Sequence, residues 1–419
     1  MARIINALTY FFFLSTFILL SYTAPIEPSR VLSSPSDSAY LKFKNGEIPT
    51  YVTDYAPVVH LYAEEKYLPY SIEEFVKHFY VSTANGNNIT QKLPLTLADL
   101  NIIQKNTNTA PEDIYLTALS NFDSDPNWIT GVKNIPDIET GLLKNAPATL
   151  IVVDKGEGWV DAFWFYFYSF NLGPFVMGGG PYGNHVGDWE HSLVRFYRGE
   201  PQLVWMSAHG GGTAFKFPAM EKVSMKSVTN SSKITKRPVI FSGRGTHANY
   251  ATVGQHSHDL PYYILSDFTD RGPLWDPAKN FVAYTYDGLK ISYANGSEPG
   301  REERYGDWLY FLGHWGDKKL APTDPRQKYS PFEWRYIDGP IGPLDKNLMR
   351  TGPCQRYKWY NIFQTCDIRS TLKMGEGIEA EGGGCALAFD NVKPYVLQML
   401  LRLVTWRGWG CNFIDSIFG

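Results

Sequence analysis

The chain has no cysteine in its first 353 residues out of 419. That stretch must hold together by packing and hydrogen bonds alone. Charge is sparse too: Asp, Glu, Lys and Arg make up 19%, below the ~25% of an average soluble domain. The balance is close to neutral, at −3. A protein that covers nucleic acid shows a basic field or stripe, so that class is excluded. There is no G-x-x-x-x-G-K-[ST] phosphate loop. There is no G-x-S-x-G elbow either, so His209-Gly210-Gly211-Gly212 does not read as the oxyanion loop of a serine hydrolase.

Aromatic and apolar residues are abundant. The chain holds 27 Tyr, 25 Phe and 12 Trp, and 44% of it is hydrophobic, which is enough to bury a core and excludes a disordered chain. With 37 Gly and 27 Pro punctuating these residues, the profile is that of a β-rich protein. Segments 149–153, 159–170, 188–197, 202–208, 238–242 and 281–286 read as strands. The most aromatic of them, Phe163-Trp164-Phe165-Tyr166-Phe167-Tyr168, reads as a core strand. Ser71 followed by Glu74 marks a capped short helix, and 93–103 reads as another. The expected fold is mainly β (α+β): an antiparallel two-sheet β-sandwich with peripheral helices and a disulfide-tied C-terminal region.

The N-terminus points to a compartment. Residues 1–23 carry one charge, Arg3, and an apolar run from 7 to 20 that is short for a membrane span. They read as a signal peptide ending near Ser21-Tyr22-Thr23; an uncleaved anchor is the alternative. Residues 24–50 read as a linker, 51–350 as the core domain and 351–419 as a cysteine-bearing C-terminal region. Asn88, Asn230 and Asn295 each begin a glycosylation sequon. Cys354, Cys366, Cys385 and Cys411 are an even set without a C-x-x-C. They read as two disulfides with three possible pairings, ahead of a zinc site. Residues 367–374 read as helical, and 392–406 as an apolar helix too short and too charged to span a membrane with assurance.

One constellation could carry chemistry: His185-Val186-Gly187-Asp188-Trp189-Glu190-His191. Asp188 and Glu190 are two apart in a strand, so both carboxylates face one side. They repel unless something positive lies between them. A hairpin with Gly199-Glu200 as its two-residue loop would set His209 opposite Glu190. His185, Asp188, Glu190 and His209 would then suit a divalent cation such as Mg, Ca or Mn. The competing reading is a salt-bridged strand end without metal. His247, and His256 with His258, are candidates to orient a ligand or to sit in polar loops. Asp188 and Glu190 are too close in sequence to flank a glycosidic bond from opposite sides.

These residues resemble a family. Tyr55-Ala56-Pro57-Val58-Val59-His60-Leu61, Glu64-Glu65-Lys66-Tyr67-Leu68-Pro69, Gly187-Asp188-Trp189-Glu190-His191 and Gly245-Thr246-His247-Ala248-Asn249-Tyr250 come in order. Gly272-Pro273-Leu274-Trp275-Asp276-Pro277, Trp315-Gly316-Asp317 and Gly339-Pro340-Ile341-Gly342-Pro343 follow. Together, over about residues 51–350, they resemble the fungal vacuolar protein sorting-associated protein 62 family. The resemblance implies a role in delivering proteins to the vacuole and no established reaction. A fainter likeness is to the necrosis- and ethylene-inducing peptide-like proteins, whose G-H-x-H-D-W-E-H motif aligns with His185, Asp188 and Glu190. It implies a two-sheet sandwich, a metal held at those positions and a sugar headgroup as ligand. This chain has Val186-Gly187 where that motif has a histidine.

The expectation is a secretory-pathway glycoprotein, vacuolar or extracellular, that binds a glycan or lipid headgroup, with contact to a membrane surface open. The rival readings are a metal-dependent hydrolase with His209 or His247 as base, and a structural lumenal protein.

Overall fold

All six strand segments read from the sequence form strands in the computed structural model. It describes residues 46–131, 134–175, 180–230, 232–257, 266–294, 306–330, 333–355, 366 and 368–372. The signal peptide, nearly all of the linker, His258, Asn295, Cys385, Cys411 and the apolar segment 392–406 lie outside the described residues.

Seventeen strands are described. They are β1 Val58–His60, β2 Phe79–Thr83, β3 Ile114–Ala118, β4 Ala148–Gly156, β5 Trp159–Asn171, β6 His185–Tyr197, β7 Glu200–Ala208, β8 Gly211–Lys216 and β9 Lys222–Lys226. Then come β10 Ile234–Ser242, β11 Asn249–Tyr250, β12 Gly254–Ser257, β13 Ser266–Thr269, β14 Leu274–Trp275, β15 Phe281–Tyr286, β16 Ile291–Tyr293 and β17 Ile368–Arg369. The helices are short: α1 Thr50–Asp54, α2 Ile72–Val76, α3 Leu97–Lys105 and α4 Asn127–Thr130. Ser71 caps α2 by accepting the Glu74 N–H, as its spacing predicts.

An eight-stranded sheet runs β16-β15-β4-β5-β6-β7-β8-β17. A second sheet runs β11-β10-β1-β14, with β9 on β10, and two further pairs are β2-β3 and β12-β13. The protein is mainly β, with several open sheets. The sheets are not wholly antiparallel: β15 pairs with β4, β17 with β8 and β1 with β10 in parallel. These partners are far apart in sequence, so the chain returns by crossover and not by hairpin.

β5 is the centre of the core. Phe163, Phe165 and Phe167 join one apolar cluster with Trp189, Leu193, Trp205 and Trp315. Trp164, Tyr166 and Tyr168 join the other, with Ile240 and Trp275 from the second sheet. Period-two alternation thus sends every aromatic of the run into one core or the other. Each is worth roughly 1.5–3 kcal/mol relative to exposure.

The β6–β7 hairpin departs from the expected register. Arg198 (φ 49°) and Gly199 (φ 80°) form its two-residue loop, and Tyr197 pairs with Glu200. Two positive φ values match the right-handed strand twist. A bulge between Arg195 and Phe196 then shifts the ladder by one, so Ser192 pairs with Met206. Glu190 therefore does not face His209. Residues 368–369 also differ from expectation, being a strand and not part of a helix. The open edge of β8 offers unpaired backbone groups that Ile368 and Arg369 pair with, and Ile368 packs on the core. Cys354 and Cys366 form a disulfide just before this strand.

The start of β6 is crossed closely by the segment after Trp315. A Cβ on Gly187 would lie 1.9 Å from the Trp315 carbonyl oxygen, and one on Gly316 would lie 1.9 Å from that of Val186. Gly187 also has φ 69°. Gly187→Ala should therefore destabilise by more than the ~1 kcal/mol typical of a substitution, through clash and strain together. Thermal melting checks this; an unchanged melting temperature would contradict the close crossing.

Candidate functional site

Asp188 and Glu190 lie side by side on the β6 face that looks toward the second sheet, 5% and 7% exposed. The positive group beside them is His247, which is fully buried. Its Nδ1–H donates to Asp188 Oδ2 at 2.9 Å and its Nε2–H to the Tyr67 carbonyl at 2.9 Å. Glu65 Oε1 lies 3.8 Å from Nε2. The Tyr67 carbonyl can only accept, as can an ionised Asp188, so both ring nitrogens carry protons and the ring is an imidazolium. Burial alone would lower its pKa, but Asp188 and Glu65 outweigh burial and raise it to about 9. Tyr168 stacks flat on the ring, with centroids 3.7 Å apart and planes at 3°.

His247 has φ 55°, a left-handed conformation uncommon outside glycine. The turn Gly243–His247 imposes it: the His247 N–H donates to the Gly243 carbonyl at 2.9 Å. Glu65 anchors the same turn, since its Oε2 accepts the Gly245 N–H at 2.7 Å and its Oε1 the Tyr67 N–H at 2.9 Å. Burial raises the Glu65 pKa, yet His247 and these backbone donors hold it below the usual value. One imidazolium therefore ties β6, the 64–67 loop and the 243–247 turn together.

Glu190 is handled differently. The Ser207 hydroxyl donates to Glu190 Oε2 and accepts the His191 N–H at 2.8 Å. Burial, with the Asp188 charge next, pushes the Glu190 pKa up to about 8. Burial and the neighbouring carboxylate therefore both favour the protonated form of Glu190.

The remaining candidates are dispersed. His185 donates through Nδ1 to the Gly187 carbonyl at 2.6 Å. His209 (φ 52°) pairs with the buried Asp267 at 2.6 Å, which also accepts the Tyr250 and Thr246 hydroxyls at 2.6 and 2.8 Å. His256 is fully buried, stacks on Tyr250 at 3.9 Å and is held neutral by burial, its pKa lowered to about 4. It is a core residue. Asn88 and Asn230 are exposed, and their side-chain oxygens accept the N–H of Thr90 and Ser232 at 2.8 and 3.0 Å.

Each of the four expected metal ligands has a hydrogen-bond partner within the protein. His247 holds Asp188 Oδ2, Ser207 donates to Glu190 Oε2, and His209 pairs with Asp267. Among the described residues no group of three or more His, Cys, Asp or Glu is arranged to hold a metal. Sequence reasoning placed Asp188, Glu190 and His247 but missed Glu65 and Ser207. Glu65 had a signal, lying in the Glu64-to-Pro69 motif, but nothing local linked it to a histidine 182 positions on.

Fold and site together define a mainly β protein of open sheets with a buried acid–imidazolium cluster joining loops to its central sheet. Similarity narrows the class. The sequence model described as vacuolar protein sorting-associated protein 62 matches residues 42–317. Vacuolar protein sorting-associated protein 62 of Saccharomyces cerevisiae is 49% identical over 419 aligned positions, covering 96% of this chain and 88% of that protein. TDA6 of the same yeast is 47% identical, covering 88% and 83%. The chain belongs to the vacuolar protein sorting-associated protein 62 family. A solved structure also matches, that of necrosis and ethylene inducing protein 2 from the causal agent of cocoa's witches' broom disease. It is 12% identical and covers 61% of this chain and 82% of that one, at a TM-score of 0.23. Nothing is drawn from a score that low.

Proposed function

We propose that this protein acts in vacuolar protein sorting as a binding protein of the secretory pathway, not as an enzyme. The identity to the yeast sorting-associated protein over 96% of the chain carries the sorting role. The binding reading is supported by the state of His247, one of the two candidate bases. An imidazolium with both N–H groups committed has no lone pair to take a proton, so His247 cannot serve as a general base. In this reading the two large sheets, which share a core, form the sandwich. Residues 1–23 direct the chain into the lumen, Asn88 and Asn230 carry glycans, and the ligand is a glycan or lipid headgroup. Deleting the gene in its source organism should divert a soluble vacuolar cargo into the medium. Normal delivery of that cargo would overturn the sorting role.

The site's stability should not depend on a cation. Dialysis against a chelator should leave the melting temperature unchanged and release no stoichiometric divalent ion on elemental analysis. A melting temperature that falls on chelation and recovers with Mg, Ca or Mn would contradict this.

A further inference from the structure

The loop end of β6 carries an exposed aromatic surface that the charge cluster does not use. Phe175, shortly after β5, is 63% exposed, and Tyr329 is 60% exposed. Tyr329 pairs with half-buried Trp334, their ring centroids 4.9 Å apart. Backbone contacts set the two loops side by side: the Gly183 N–H donates to the Trp334 carbonyl at 2.8 Å and the Asn184 N–H to that of Arg335 at 2.8 Å. The Tyr182 N–H closes the first loop on the Pro174 carbonyl at 3.1 Å.

The charges around these rings have one dominant sign. None of the described residues 172–175 and 180–184 carries a charged side chain. The other loop presents exposed Lys328 and half-buried Arg335, whose guanidinium lies 5.4 Å from the Tyr336 ring. Its acid, Glu333, turns Oε1 back to accept the Trp334 N–H at 2.7 Å. In a chain of net charge −3, an aromatic rim with two cations and one self-engaged acid is a local reversal of sign. Tyr and Trp rings settle at the headgroup level of a bilayer, a bare phenyl enters the acyl boundary, and Lys and Arg meet the phosphates. A sugar would use the two amphipathic rings but would leave Phe175, which has no polar atom, without a role.

We propose that this loop end docks peripherally on an anionic phospholipid surface, with Phe175 inserted and Lys328 and Arg335 on the phosphates. This deepens the binding reading and rests on it, yet is independent of the sorting role, since it is measured on purified protein.

The test is sedimentation of the full chain with phosphatidylcholine vesicles, with and without phosphatidylserine. The protein should pellet with the anionic vesicles and much less with the neutral ones. Phe175→Ser should weaken partitioning roughly tenfold or more, as expected for losing a buried phenyl. Lys328→Ala should weaken it roughly fivefold, the share of one basic side chain at an anionic surface. Leu289→Ser, at an 88% exposed leucine elsewhere, should change nothing. Melting temperatures equal to wild type show that the variants fold. Failure of the wild type to pellet with either vesicle overturns the proposal, as does unchanged binding of Phe175→Ser. Retention on immobilised saccharides that Tyr329→Ser abolishes, without vesicle binding, would overturn it in favour of a glycan surface. Binding to vesicles without any effect of gene deletion on cargo would sink the sorting role alone.

Discussion

His247→Ala should destabilise the protein by roughly 3–5 kcal/mol, the usual cost of removing one partner from a buried ion pair. The variant would leave Asp188 without a cation and the Tyr67 carbonyl without a donor, and would remove the flat contact with Tyr168. The pH dependence separates this effect from simple loss of packing. The ring's folded pKa of about 9 lies above the ordinary histidine value of 6.5. Its contribution is therefore complete below pH 6.5 and is lost as the pH rises through about 9. Glu190 acts in the same direction: its stabilisation is complete below 4.5 and is lost as pH rises through about 8. Glu65 runs the other way. Its lowered pKa gives stability that is present above 4.5 and fades on acidification below it. Wild-type stability should thus be greatest on the acid side of neutrality and fall steeply between 6.5 and about 9. Denaturant unfolding across that range checks it. In His247→Ala the part of the fall due to the ring should vanish, leaving the Glu190 part at lower pH. A wild-type profile flat from neutrality into alkali would contradict the assignment.

Arg237→Ala should cost a similar roughly 3–5 kcal/mol. Arg237 and Asp276 are each about 1% exposed and meet through two hydrogen bonds of 2.9 and 2.6 Å. The same guanidinium donates to the Ala56 carbonyl at 2.7 Å and to that of Pro57 at 3.2 Å. It therefore pins the entry to β1 and the turn after β14 onto β10. Arg237→Lys should rescue little, because a point-like ammonium cannot reproduce the planar fork. Arg237→Met combined with Asp276→Leu should recover most of the loss, since no buried charge is then left unpaired. Urea unfolding of the three variants reads these differences. Equal stability of Arg237→Ala and wild type would mean the pair is not buried as described.

The sequence made the strands legible wherever period two and aromatic content coincided, as in 159–170 and 281–286. It did not make the β6–β7 register legible: the loop is Arg198-Gly199 and not Gly199-Glu200, and the Arg195–Phe196 bulge, which has no composition signal, then moves the ladder by one. The segment near Ile368 illustrates the same limit: local propensity suggested a helix, and an open sheet edge decided otherwise. For the site, the shared face of Asp188 and Glu190 followed from strand geometry, and so did the need for a positive neighbour. The identity of that neighbour did not. His247 is 59 positions from Asp188 and 180 from Tyr67, and only the fold brings them together. Sequence spacing also could not show that burial and Asp188 would favour the protonated form of Glu190.

The central claim is that a buried imidazolium pairs with Asp188 at the start of β6. The most direct test is an NMR titration of ring-labelled histidine, with the His247 signal assigned by loss in His247→Ala. Both ring nitrogens should be protonated at neutral pH, and the resonance should move only as the pH approaches about 9. A neutral His247 ring at neutral pH, or a signal that shifts when Mg or Ca is added or removed, would contradict the account.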